Sequence, residues 1–244
     1  MVMKKLSLFI GAIMAMYSLI AQPAGLASRI GPLPAISPSS GFFVDYTDGR
    51  PIMANSDNEA EGSFFWNEDW CSGKVLLNKN RIVSGLNLKF NIYNQELYFN
   101  RNNTAMAFAD SVKEFEITCQ SDGQSRYAYF RNGYPAVDRF NTTSYYQVLV
   151  DSSFQLLRSY RKELVEVEEI NRPTKKVLRD YSEYYVYTPA GKIVRIKAEA
   201  KKIAEALPEY ATLINQVVEK NKLKLKQEED LVRLFLLICG KDMY

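Results

Sequence analysis

The sequence predicts an α+β protein that is mainly antiparallel β. The expected form is a meander-like sheet or half-barrel of about ten strands, with a C-terminal pair or trio of short helices. Three observations carry this. Leu86, Leu88, Phe90 and Ile92 alternate with Asn87, Lys89 and Asn91; Asn94-Gln95 then breaks the run and Glu96 to Phe99 starts back, a hairpin with one buried face. Short apolar runs recur from Ser63 onward with brief polar breaks and no long helix between them, so the strands pair antiparallel rather than by crossover. Around Lys197 the period lengthens, and Ile196, Ala200, Ile203 and Leu207 recur at helical spacing.

Taken in order, residues 1–21 have the pattern of a secretory signal peptide. Lys4 and Lys5 precede the apolar run Leu6 to Ile20, and Ala21 offers a small residue for cleavage. The alternative is a membrane anchor, but the run has 15 residues, fewer than the roughly 20 that span hydrocarbon as a helix. No cysteine follows it to carry a lipid and no second spanning segment appears, so the expectation is an exported chain, periplasmic or extracellular and not lipid-anchored. Residues 22–62 read as a Pro- and Ser-rich leader and turn region, with turn signals at Asp48-Gly49 and Arg50-Pro51.

Residues 63–196 form the expected β-rich body. SFFWN and GKVLLN lead into the hairpin; AMAFA and VKEFEITC follow, the latter with Val112, Phe115, Ile117 and Cys119 inward. RYAYFRN comes next, and SYYQVLV pairs with FQLLRSY across Asp151-Ser152. The mixed-charge run RKELVEVEEINRPTKKVLRD reads as a solvated loop or hairpin end, and YSEYYVYT and KIVRIK close the body as a hairpin. Residues 197–244 read as a helical segment packed on it. Pro208 ends one helix and starts the next, and Lys226 to Cys239 puts Leu231, Leu234, Phe235 and Ile238 on one stripe, with Glu228, Glu229 and Asp230 in the first turn.

Composition bounds the chemistry. Of 31 basic and 28 acidic side chains in 244 residues, loss of Lys4 and Lys5 leaves 29 against 28, with no excess for nucleic acid. With 47% hydrophobic and 13% aromatic residues the chain can bury a core. The absence of histidine removes Ser-His-Asp and Cys-His catalysis and His-ligated metals. No phosphate loop, dinucleotide fingerprint or nucleophile elbow occurs, and no cofactor is expected. Cys71, Cys119 and Cys239 cannot all pair; Cys71 with Cys119 is one arrangement and three buried thiols the other.

Asp57, Glu59, Glu61, Gly62 and Glu68 fall on the spacing of a calcium loop, but no helix precedes them and a strand follows, so a solvated acidic loop is preferred and no metal is expected. Glu68 with Asp69, or Glu114 with Glu116, would supply paired carboxylates, yet neither pair converges on a pocket and no catalytic residue is assigned. Sixteen tyrosines are the softer clue. Tyr127, Tyr129, Tyr145, Tyr184 and Tyr185 lie in aromatic runs and are candidates for an exposed face that contacts a glycan, a peptide or an envelope protein; the other reading is core packing with wet phenol tips.

The GKVLL strand with LNLKFNIYNQELYF, VKEFEI, YYQVLVDSSFQLL and KLKQEEDLVRLF resembles a family of uncharacterised exported proteins common in Bacteroidetes-type bacteria. The resemblance covers most of the chain after residue 21 and implies export and a β-rich body with a helical tail. It implies no activity, and the ending LFLLICGKDMY departs from it. The function expected is a non-enzymatic binding or scaffolding module of the cell envelope, the alternative a carboxylate-dependent enzyme acting on envelope carbohydrate.

Overall fold

A computed structural model describes residues 48–52, 60–121, 123–168 and 173–240. The signal-peptide and leader pattern, and Asp57 and Glu59 of the calcium spacing, lie outside the described residues. Among the described residues eleven strands form one open sheet, every neighbouring pair antiparallel, followed by three short helices. The strands are β1 (Gly49–Pro51), β2 (Cys71–Leu77), β3 (Ile82–Asn91), β4 (Glu96–Arg101), β5 (Thr104–Phe108), β6 (Val112–Ser121), β7 (Gln124–Arg131), β8 (Tyr146–Asp151), β9 (Gln155–Val167), β10 (Lys175–Tyr187) and β11 (Ile193–Ile196). The helices are α1 (Ala200–Ala206), α2 (Ala211–Asn221) and α3 (Glu228–Ile238). The strand order is β1-β5-β4-β3-β2-β6-β7-β8-β9-β10-β11.

This order forces the N-terminal half to curl. Three residues, Ala109, Asp110 and Ser111, join β5 to β6, which stand four places apart in the sheet. In a flat sheet four spacings of about 4.8 Å put those strands roughly 19 Å apart, whereas four residue steps reach about 14 Å. Curling brings the ends together, and β3 shows where it starts. The β2–β3 register shifts at Gly73/Lys74, opposite Gly85, which sits at φ +74° as the extra residue of a bulge. Gly73 has no room for a side chain, since a Cβ would stand 2.3 Å from the Glu116 carbonyl oxygen.

The inside of the curl is a core of Val75, Leu88, Phe90, Phe99, Phe115, Ile117 and Phe130 with their neighbours. Phe90, Phe115 and Phe130 pack on one another at 4.8–5.2 Å between centroids, Phe115 stacked on Phe130 and Phe90 edge-on or tilted to both. All four residues expected inward on β6 are buried. Cys71 and Cys119 form a disulfide across β2 and β6, Cα atoms 4.6 Å apart, and Cys239 is free.

From β8 to β11 the sheet is covered on both faces. Leu149, Leu156, Val186 and Ile196 pack under the helices against Ile203, Ile214, Leu231 and Phe235. On the opposite face the segment 132–144 folds back, burying Tyr134 and Phe140 against Tyr129, Tyr146, Leu157 and Tyr185. A short 3₁₀ turn that starts at Pro208 separates α1 from α2.

Two local expectations are corrected, and a third, the charged run, is narrowed to one of its two alternatives. Gly49–Pro51 is an edge strand on β5, where Pro51 is tolerated because an edge needs no donor there. SFFWN is not a strand but a brief ladder on the end of β3, Trp66 N–H donating to the Phe90 carbonyl and Ile92 N–H to that of Phe64 at 2.9 Å each. The charged run is two strand ends: β9 and β10 pair through thirteen residues each, as far as Val167 and Lys175. Polar side chains prevail there because this part of the hairpin extends past β8, whose pairing with β9 stops at Ser159.

Candidate functional site

The five candidate tyrosines do not share a surface. Tyr129 and Tyr185 are brought together but inside the cluster under residues 132–144, where Tyr185 is 0% exposed and donates to Asp138 at 2.9 Å. Tyr145 is buried in the curl and donates to the Val112 carbonyl at 2.7 Å. Tyr184 faces the helices and donates to Glu228 at 2.7 Å. Tyr127 remains outside at 48% exposure, its phenol pushed up to about 12 by partial burial and by Glu116. Alternating aromatics show that both faces of a strand are covered or coverable; they do not show what covers them.

The candidate carboxylates are likewise dispersed. Glu114 and Tyr129 join Arg131 and Asp151 in a closed network: Arg131 donates to Glu114 at 2.9 Å and to Asp151 at 2.8 and 3.2 Å, and the Tyr129 hydroxyl donates to Glu114 at 2.6 Å. Its polar groups are taken up by one another, which makes it a clamp between β6, β7 and β8. Glu61 pairs through its backbone with β10 and through its carboxylate with Lys175 at 3.0 Å. Among the described residues no group of acids and cysteines is arranged to hold a metal ion.

A cleft of about 270 Å³ does form where the charged hairpin passes the curled half. Phe65, Trp66, Ile92 and Arg126 line it from the curl, and Arg158, Tyr160, Arg161, Lys162, Asp180, Tyr181 and Ser182 from the hairpin. The β9–β10 register sets the hairpin side, placing Tyr160 opposite Ser182 and Lys162 opposite Asp180. Because side chains alternate along a strand, Arg158, Tyr160 and Lys162 share one face.

Guanidinium groups lie on aromatic faces in the cleft and on the other face of its hairpin wall. Arg126 sits 3.9 Å from the Trp66 ring centroid, Arg161 4.1 Å from that of Tyr181 and Arg158 5.0 Å from that of Tyr160. Arg158 also donates to Glu228 and to Ser182, both at 2.7 Å, which anchors the start of α3 at one end of the cleft. Lys162 pairs with Asp180 at 2.9 Å and Arg161 with Glu163. Burial pushes the Tyr160 phenol up, although Arg158 beside it pulls the other way.

None of these contacts is visible in the sequence as a motif: Trp66 and Arg126 are far apart in the chain, and only the fold brings them together. The one available signal is the mixed-charge run, whose Arg161, Lys162 and Asp180 belong to the cleft. Among the described residues no helix is long and apolar enough to cross a membrane. No protein-family model, curated protein or solved structure matches this chain.

Proposed function

We propose that this chain is an exported, non-enzymatic binding module of the cell envelope, with the cleft between hairpin and curled sheet as its ligand site. The observation that carries this is the make-up of the cleft: the side chains of Arg126, Arg158 and Lys162 and of Phe65, Trp66 and Tyr160 against one carboxylate, Asp180, already paired with Lys162. Glycoside hydrolysis through carboxylates needs two of them facing each other across about 5–10 Å, one kept protonated. A cleft with a single ion-paired acid suits recognition better. The Lys4-Lys5 start with its apolar run supports export, as does the Cys71–Cys119 bond, which persists in oxidising compartments. Within the proposal, the resemblance to exported Bacteroidetes-type proteins points the same way.

The test has two parts. Expressed with its N-terminus intact in a bacterial host, the chain is expected in the periplasm or medium, with a new N-terminus near residue 22. The recovered protein is then melted against neutral and acidic glycans, peptidoglycan fragments and peptides. A ligand at a hundredfold its Kd adds about 2.7 kcal/mol, a rise of roughly 5–10 °C for a chain of this size. A retained, cytoplasmic chain refutes export. Turnover of an envelope glycan that is lost in Asp180→Asn refutes the non-enzymatic reading.

A further inference from the structure

The charges around the cleft do not cancel, and the remainder falls on one residue. Arg158 is matched by Glu228, Arg161 by Glu163 and Lys162 by Asp180. Arg126, on the opposite wall, lies flat on Trp66 and has no carboxylate partner among the described residues. A guanidinium stacked on an indole keeps its in-plane N–H groups available, and the stack limits its rotamers before any ligand arrives. The aromatic faces, in contrast, are occupied. Trp66 and Tyr160 each carry an arginine, so a sugar ring or aromatic ligand finds no free platform on them. What the cleft presents is an excess of donors with one uncompensated positive charge.

We infer that the cleft is an oxyanion site, in which Arg126 takes the carboxylate or phosphate of a small ligand against the hairpin wall. This deepens the binding-module proposal and rests on it. The shared chemistry is a planar or tetrahedral oxyanion, to which arginine gives paired, charge-assisted hydrogen bonds. Two sources supply it in an envelope, the carboxylate of an acidic sugar and the phosphate of a sugar phosphate. Size limits the rest of the ligand. At about 270 Å³ the cleft lies below the roughly 300–1,000 Å³ of sites for drug-sized molecules, so one ring-sized group fits.

The experiment titrates the intact exported protein with sodium glucuronate, glucose 6-phosphate and glucose, following amide shifts by NMR at low and high salt. Saturable shifts at residues 126, 158–162 and 180–182 with an anion, absent with glucose and weakened by salt, are expected. The anion that binds more tightly identifies carboxylate or phosphate as the group recognised. Arg126→Gln weakens binding by about tenfold or more while the free protein keeps its fold, its melting temperature falling only by the few degrees that loss of the stack on Trp66 costs. Asp180→Asn acts in the opposite sense, because it releases Lys162, and tightens binding several-fold. Anions that bind no better than glucose, or a Kd for Arg126→Gln within twofold of the parent, overturn the inference. If glucose itself binds saturably and Arg126→Gln does not alter it, the oxyanion assignment falls and the binding-module reading stands. A cleft that takes up no ligand of either charge at millimolar concentration overturns the site for both.

Discussion

Replacing Tyr146 with phenylalanine is expected to stabilise the protein. Tyr146 is 0% exposed, and its hydroxyl is buried without a hydrogen-bond partner. Its ring packs against Phe140 at 5.3 Å and against Tyr134 and Tyr185 at 5.5 Å each, contacts that a phenylalanine ring keeps. In the unfolded chain that hydroxyl is hydrated, and burying it unpaired costs roughly 1–3 kcal/mol. Deleting the oxygen leaves a void of about 10–15 Å³, which at ~24 cal/mol per Å³ costs about 0.3 kcal/mol. The net expectation is a gain of about 1 kcal/mol, or a melting temperature higher by roughly 2–4 °C. Guanidinium denaturation reads it directly, as a higher midpoint with unchanged slope.

Tyr185, in the same cluster, supplies the contrast. Its hydroxyl donates to Asp138 at 2.9 Å, so Tyr185→Phe removes a hydrogen bond to a charged group and is expected to cost about 1.5–3 kcal/mol. Opposite signs for the same atomic change, in rings that touch, follow only from the difference in partners. A loss of 1 kcal/mol or more in Tyr146→Phe would show that its hydroxyl contributes a bond in the folded state, and the reasoning would fail.

Two further outcomes are expected. The disulfide closes a loop with a sequence separation of 48, for which the chain-entropy model gives about 4 kcal/mol; Cys71→Ala with Cys119→Ala lowers stability by about 2–4 kcal/mol in denaturant titration, and a loss under 0.5 kcal/mol counts against it. Nine phenols, of Tyr98, Tyr127, Tyr129, Tyr134, Tyr145, Tyr146, Tyr160, Tyr184 and Tyr185, titrate above the ordinary tyrosine value of 10.0, burial being the largest cause in each. Above that pH the unfolded chain has released protons that the folded one still holds, so stability is full below pH 10 and falls as pH rises beyond it. The share of the 295 nm absorbance that belongs to these nine phenols should then rise in a cooperative step with unfolding, and their gradual titration in the still-folded protein would contradict this.

The parts of the fold that could be read from sequence are those where one face of a strand is buried and the other wet. Leu88, Phe90, Phe115 and Ile117 announce their strands because water and core alternate along them. Where the local environment changes, the pattern fails. The outer β9–β10 hairpin mixes polar and apolar side chains on both faces because β8 stops short of it, so it reads as a solvated loop or hairpin end. The curl is left open by the sequence, which allows a meander-like sheet or a half-barrel. It follows from joining β5 to β6 through three residues across four sheet positions, a fact of register that periodicity does not encode. The disulfide belongs here too, since Cys71 and Cys119 meet only because β2 and β6 are neighbours.

The same logic explains why a basic cleft can exist in a chain whose formal charge is only +3. Along β9 and β10 six basic side chains stand against four acidic ones, and counting them predicts only a weak field. Pairing across the strands and to α3 then removes charges in couples, Lys162 with Asp180 and Arg158 with Glu228, while Arg161 takes Glu163 from its own strand. What remains is set by which residue the fold leaves out of that pairing. Arg126 comes from β7, and its partner there is an indole ring, which holds a cation without neutralising it. Net charge therefore describes the chain's average surface, whereas recognition in the cleft depends on one uncompensated guanidinium whose position no sequence count could supply.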